Sequence, residues 1–266
     1  MAADDEKSAQ NHIQGLERGL AVLQAFTADH PSRTATELAT ATRLSRPVVR
    51  RILLTLQRLG YVATSEGRWT LTPRVLTIGH HYTATHALTE LAQPYLMRLA
   101  EKTGESATLA TLDGNEVVYI ARVPVRRVLS VTVSPGTRAP AHATSLGRVL
   151  LAWEPDERVE RLIAESGLPG LTRHTVTDPA QFREILGTVR EQGWSMVISE
   201  REEGLLSLSA PVRDHHGRVV AAVASSTSTG RATPEGLRED VVPVLVDIAK
   251  DISAQIGSRT AGPPIA

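Results

Sequence analysis

Residues 34–71 read TATELATATRLSRPVVRRILLTLQRLGYVATSEGRWTL, and this stretch decides the fold of the N-terminal third. Thr34-Ala35-Thr36-Glu37 has the form of a capping box, with Thr34 as N-cap and Glu37 three residues on. The short helix it opens carries Leu38 and Ala39 inward. Ser45-Arg46-Pro47 is a second helix start, with Ser45 as cap and proline tolerated in the first turn. That helix runs to Leu59, and Gly60 ends it. Its apolar stripe is Val49, Ile52, Leu53, Leu56 and Leu59. Residues 61–64 and 68–71 are short strands around Ser65-Glu66-Gly67, a hairpin. Helix, short turn, helix and hairpin in this order predict a winged helix-turn-helix.

Upstream, Leu16, Leu20, Leu23 and Phe26 recur at helical spacing, and Asp29-His30-Pro31-Ser32 stops that helix. Residues 1–11 are polar and read as a tail. Downstream, Thr72-Pro73 predicts a helix through about His86, and another runs from about Leu88 to Lys102 with Pro94 as a kink. After Gly104 the texture changes to alternating or apolar runs at 107–112, 116–123 and 129–133, with Asp113-Gly114-Asn115 as a hairpin turn. Helices are expected at about 144–153, 156–166 and 179–192. Strands follow at 194–199, 205–213 and 219–226, the last two joined by Asp214-His215-His216-Gly217. A closing helix spans 235–256, with Pro243 as an irregularity.

Charge is unevenly placed. Residues 12–86 hold nine arginines against Glu17, Asp29, Glu37 and Glu66, a net of +5. Residues 87–266 hold 19 basic and 22 acidic residues, a net of −3. A basic third on an acidic remainder suggests two jobs, with a polyanion contacted by the first. Between Arg43 and Arg58 lie five arginines and no acid. Ser45, Arg46, Arg50 and Gln57 lie away from the apolar stripe, which is the layout of a recognition helix entering the major groove of double-stranded DNA. Pro47 and Arg51 accompany them, Arg33 and Thr34 stand at the preceding helix start, and Arg68 in the hairpin is placed as a wing contact. The competing reading is a solvated basic helix in a bundle.

Several classes are excluded. The chain has no cysteine, so disulfides, thiolate metal sites and a cysteine nucleophile are out. No window approaches 18 uninterrupted apolar residues, and the N-terminus lacks a signal-peptide pattern, so a cytoplasmic protein without a membrane span is expected. Aromatics make up only 3%, too few for base-stacking platforms. No Gly-x-Ser-x-Gly, P-loop, Gly-x-Gly-x-x-Gly or His-Glu-x-x-His motif is present, and the histidines have no metal spacing. No catalytic residue, metal or cofactor is therefore assigned.

Three runs now carry a resemblance: GLERGLAVLQAF with the stretch quoted above, GTRAPAHATSLGRVLLA (136–152) and GWSMVISEREEGLLSLSAPVRDHHGRVVAAVASSTS (193–228). Over about residues 14–257 the chain resembles the IclR (isocitrate lyase regulator) family. That resemblance implies an α+β fold: a winged helix-turn-helix at 12–72, a helical linker at 73–103, and an α/β effector-binding domain at 104–258 with a curved antiparallel sheet flanked by helices. A second tail occupies 259–266. It also implies a homodimer or tetramer. One departure is Arg43, where many members have glycine.

By position, the family's effector contacts fall on Ser145, Leu146, Ile198, Ser207, Ala224 and Ser226, with His142 beside the helix start. Ile198 replaces a common aspartate and Ala224 a common serine, making the pocket more apolar. The run YIARVPVRRVLSVTVSPGTRAPAHATSLGRVLLA (119–152) resembles the branch controlling protocatechuate, p-hydroxybenzoate and β-ketoadipate catabolism. The expected effector is thus a small organic acid, aromatic or β-keto dicarboxylic, and Arg122, Arg126, Arg127 and Arg138 are available counter-charges. The expected function is a ligand-responsive regulator of a catabolic operon. The alternatives are a ligand-blind DNA-binding protein and an enzyme fused to a DNA-binding domain.

Overall fold

The computed structural model of the chain describes residues 12–78, 88–125 and 133–260. The chain divides into two compact units, residues 1–86 and 87–266, each with its own core.

In the first unit α1 (Gln14–Gln24), α2 (Ala35–Thr42) and α3 (Arg46–Arg58) enclose Val22, Leu38, Val49 and Leu53. Both halves of the capping box form: the Glu37 N–H donates to Thr34 Oγ1 at 3.2 Å and the Thr34 N–H to Glu37 Oε2 at 2.7 Å. Ser45 is the N-cap of α3, but its hydroxyl makes no capping bond. Pro47 stands in the first turn and has no N–H to offer it. The turn before α3 keeps its left-handed residue despite the absent glycine: Arg43 adopts φ 56°, ψ 27°. Non-glycine residues carry a cost of about 1 kcal/mol there.

The hairpin pairs β2 (Val62–Ser65) with β3 (Arg68–Leu71) through Glu66 and Gly67, both at positive φ, as a two-residue hairpin turn requires. A third strand that the sequence did not suggest, β1 (Ser32–Thr34), pairs with β3, giving the order β1-β3-β2. Three residues are too few for periodicity to register. The predicted helix after Thr72 opens as a 3₁₀ turn over Pro73–Val75, capped by the Thr72 hydroxyl, and is helical at 76–78. Its expected continuation to His86 lies outside the described residues.

In the second unit α4 (Leu88–Thr103), with Pro94 inside it, leads into a six-stranded antiparallel sheet. The strands are β4 (Ser106–Asp113), β5 (Glu116–Val123), β6 (Arg138–Pro140), β7 (Ser195–Ile198), β8 (Leu205–Arg213) and β9 (Val219–Ser228), in the order β6-β5-β4-β9-β8-β7. One face packs on α4, α8 (Pro234–Asp240) and α9 (Val242–Thr260) through Leu96, Leu99, Leu206, Leu208, Val223 and Leu245. The other packs under α5 (Ser145–Ala152), α6 (Asp156–Ser166) and α7 (Pro179–Gln192) through Ala110, Val149, Leu162, Phe182, Ala222 and Ala224.

The closing helix is two helices. Val241 ends α8, and Pro243 falls in the first turn of α9, where its missing N–H costs nothing. Most of the expected strand at 129–133 lies outside the described residues. Val133 itself is in no strand, and the edge strand is β6 instead.

Two details shape the space above the sheet. A bulge opposite Leu109 and Ala110 leaves Ile120 unpaired between Ala121 and Tyr119. Residues three apart on a regular strand face opposite ways, but the bulge puts Tyr119 and Arg122 on the α5 side. Gly147 lets α5 approach the preceding chain, since a Cβ there would overlap the Ala141 carbonyl and Cα.

Candidate nucleic-acid interface and ligand cavity

Helix α3 buries Val49, Leu53 and Leu56 and turns Arg46, Arg50 and Gln57 outward. At about 100° per residue these three fall within about 40° of one another around the helix. Ser45 and Pro47 are exposed at its N-terminus. Arg51 stands about 140° from Arg46. It borders the groove between α3 and α1, lined by Leu16, Leu20, Ile52 and Leu59. Arg43, Arg46, Arg50, Arg51 and Arg58 have no carboxylate partner among the described residues. Unpaired guanidiniums on an exposed helix are free to displace the counterions of a phosphate backbone.

Arg68 is placed differently from the expected wing contact. Its Nε donates to Ser32 Oγ at 3.1 Å, and Nη2 donates to the Ser32 carbonyl at 2.7 Å and reaches Glu37 Oε2 at 3.5 Å. It ties β3 to β1 and to the capping box instead of projecting from the hairpin. Arg33 and Thr34 lie in β1, half-buried, and Thr34 is spent on the cap. The Arg33 Nε is buried without a partner among the described residues.

The second unit holds a cavity of about 620 Å³ between the N-terminus of α5, the sheet face beneath it and the loop at 199–204. Thr144 caps α5 by accepting the Gly147 N–H at 3.0 Å. The Ser145 and Leu146 N–H groups have no acceptor among the described residues, and both residues line the cavity. Orphan N–H groups at a helix start favour an anion.

Ser145 is more than the expected donor at that turn. Its hydroxyl is 2.7 Å from Ser207 Oγ and 2.6 Å from Ser209 Oγ, and Ser207 Oγ is 3.0 Å from Ser226 Oγ. Ser209 is fully buried and has no other side-chain partner among the described residues, so its proton points to Ser145. The order then propagates: Ser145 donates to Ser207 and Ser207 to Ser226. The Ser226 proton is left over, and Ser226 lines the cavity. Chains of this kind strengthen one another in a low-dielectric setting.

Three expected contacts are elsewhere. Ile198 pairs with Leu206, on the α4 and α9 side of the sheet, and is 37% exposed. Val197, paired with Ser207, is the β7 residue that lines the cavity. One residue of register exchanges the two faces. Ala224 shares the face of Ser226 but is 1% exposed in the core beneath α5, away from the lining. His142 is also buried, its Nε2 3.0 Å from the Pro169 carbonyl, and does not line the cavity. Desolvation holds its pKa below the usual histidine range. Its place is that of a loop histidine tying backbone together.

Behind the cavity wall, Arg148 Nη2 donates to Glu200 Oε2 at 2.6 Å and Arg148 Nε to the His142 carbonyl at 3.1 Å. Glu200 also accepts the Val176 N–H at 3.0 Å. The Thr175 hydroxyl donates to the Glu200 carbonyl at 2.6 Å, fixing the 199–204 loop from outside. Among the arginines considered as counter-charges, Arg122 lines the cavity and donates to the Val133 carbonyl at 2.5 Å. Arg138 is engaged at the surface by Glu116 and Asp113. Arg126 and Arg127 lie outside the described residues. Tyr119 and Arg201 line the cavity too, and sequence reasoning missed both. Arg201 sits in a loop with no pattern to mark it, and Tyr119 faces inward only because of the bulge.

Comparison with known proteins places these features. Residues 15–66 match the IclR helix-turn-helix domain, and residues 80–254 match the family described as bacterial transcriptional regulator IclR C-terminal. The chain is 41% identical to the Pca regulon regulatory protein of Pseudomonas putida, over 92% of this chain and 84% of that one. It is 36% identical to the p-hydroxybenzoate hydroxylase transcriptional activator of Acinetobacter baylyi, over 94% of each. A crystal structure of an IclR homolog from Microbacterium hydrocarbonoxydans, complexed with 4-hydroxybenzoate, superposes with a TM-score of 0.81 at 25% identity. It covers 93% of this chain and all of that one.

Proposed function

The chain belongs to the IclR family of bacterial transcriptional regulators, and from that premise we propose how its two units divide the work. The N-terminal unit binds a double-stranded DNA operator through α3, with Arg46, Arg50 and Gln57 toward the bases and the remaining arginines toward phosphate. The C-terminal unit senses a small organic acid of aromatic catabolism, an aromatic acid or a β-keto dicarboxylate, in the cavity above Ser207 and Ser226. Ligand occupancy shifts the population of DNA-binding states. The protein acts in the cytoplasm as a homodimer or tetramer. Exposed Leu16, Leu20, Leu76 and Ile78 leave apolar surface on the N-terminal unit that supports self-association.

One observation carries this reading: a single chain joins an arginine helix without carboxylate partners among the described residues to a cavity lined by oriented donors. The 4-hydroxybenzoate complex and the pca and p-hydroxybenzoate relatives support the choice of acid. The test is operator binding by the full chain with and without protocatechuate, 4-hydroxybenzoate and β-ketoadipate. A change of several-fold or more in operator affinity with one of them is expected. DNA binding that none of them alters would make the protein ligand-blind.

A further inference from the structure

Four carboxylates border the cavity, and three of them are answered. Glu105 meets Arg231 at 3.2 Å, Glu200 meets Arg148 at 2.6 Å, and Glu203 lies within 3.5 Å of both Arg173 and His174. Glu202 is exposed at the rim. Arg201 lines the same cavity, is half-buried, and has no carboxylate partner among the described residues. Its contact is Tyr119: Arg201 Nη1 donates to the Tyr119 hydroxyl at 3.1 Å, with the guanidinium 6.0 Å from the ring centroid. The phenol is 5% exposed and uses its oxygen as acceptor, so its own proton has no acceptor among the described residues. A cation and an oriented O–H donor therefore converge on the cavity without an anion between them.

This pair stands apart from the serine end. Ser226 is on β9 and Tyr119 on β5, two strand spacings apart across β4, and their partners on β4, Ser106 and Ala110, lie four residues apart along that strand, so the two backbone positions are about 16 Å apart on the sheet.

We propose that Arg201 and Tyr119 form a second carboxylate subsite, so that the cavity selects acids bearing a carboxylate at both ends. The inference deepens the ligand-sensing reading above and rests on it. One carboxylate meets the Ser226 hydroxyl and the free N–H groups of Ser145 and Leu146. The other meets the Arg201 guanidinium and the Tyr119 hydroxyl, with Val133, Val197 and Leu146 walling the chain between them. A neutral group at the second end would leave the Arg201 charge unanswered.

Calorimetric titration of the full chain with adipate, β-ketoadipate, hexanoate and 4-hydroxybenzoate tests this. Hexanoate has adipate's length and one carboxylate. The wild type is expected to bind adipate at least about tenfold more tightly than hexanoate, the worth of a charge-assisted hydrogen bond. Arg201→Gln should erase that preference while leaving hexanoate within about twofold, and Tyr119→Phe should reduce it a few-fold. Unchanged melting temperatures would show that both variants fold. If Arg201→Gln weakens both acids equally, or if 4-hydroxybenzoate binds and both dicarboxylates do not, the second subsite is overturned and ligand sensing stands. If no acid binds or alters operator affinity, both fall together.

Discussion

Ser209 Oγ lies 2.6 Å from Ser145 Oγ at a position with no solvent exposure, and this contact sets the direction of a four-hydroxyl chain that ends at the cavity. Ser209 does not touch the ligand space, yet it decides which hydroxyl has a proton to offer there. Ser226→Ala should weaken effector binding by about 1–2 kcal/mol, the loss of one hydrogen bond to a charged group. Ser209→Ala should cost less affinity than that and about 1 kcal/mol of stability, because a buried bond is removed at the far end. Titration and thermal melting of both variants check the order. Effector binding unchanged by Ser226→Ala would mean the chain runs the other way, with the Ser226 proton donated to Ser207.

The buried pair behind the cavity makes a second prediction. Arg148 is 3% and Glu200 9% exposed by side chain. Removing one member leaves the other charged and dry, so Arg148→Met should cost about 3–5 kcal/mol. Part of this comes from the stranded His142 carbonyl. Arg148→Met with Glu200→Gln should recover most of the loss, since the pair is replaced and not broken. Urea unfolding of the single and double variants separates the two cases. A double variant no more stable than Arg148→Met would locate the cost in packing.

Helix α3 was legible because its start signal, apolar stripe and charge all mark the same residues. Helices α6 and α7 fall at the expected 156–166 and 179–192. The cavity was legible only in part. Ser207 and Ser226 lie on alternating strands whose faces periodicity can tell apart. Residues 195–198 read Ser-Met-Val-Ile, with three apolar residues in succession, so nothing local says whether Val197 or Ile198 faces inward. The pairing of Val197 with Ser207 decides it. Ala224 was placed on the right face, but α5 covers it, and burial beneath a helix distant in the sequence has no local signal. Tyr119 depends on a one-residue bulge, and Arg201 on a loop held by Thr175 and Glu200.

Two kinds of arginine in the N-terminal unit should separate experimentally. Arg46→Ala and Arg50→Ala should each weaken operator binding by about 1–3 kcal/mol and leave the melting temperature nearly unchanged. Arg68→Ala should do the reverse. Its guanidinium holds Ser32 and Glu37, so its loss loosens β1 and the capping box, lowering stability by about 1 kcal/mol. Fluorescence anisotropy against salt concentration, beside thermal melting, distinguishes them. A reduced salt slope for Arg68→Ala with an unaltered melt would return Arg68 to the phosphate contacts.

His142 should impose a pH dependence of its own. Burial lowers its pKa in the folded chain, while in the unfolded chain it titrates near about 6.5. Above that pH both states carry a neutral imidazole, and stability does not respond. As pH falls below about 6.5, the unfolded chain takes up a proton that the folded chain resists, so stability is lost down to the depressed folded pKa. Glu37, Glu160 and Asp214 have lowered pKa values, so their contribution is lost only below about pH 5, a separate window. His142→Asn keeps an amide that can donate to the Pro169 carbonyl and cannot titrate. Its unfolding free energy should be flatter between about pH 6.5 and 5 than that of the wild type. The two curves should run parallel above about pH 7. Denaturant titrations at half-unit pH steps measure the slopes, and equal slopes in the acidic window would show that His142 is protonated as readily in the folded chain as in the unfolded one.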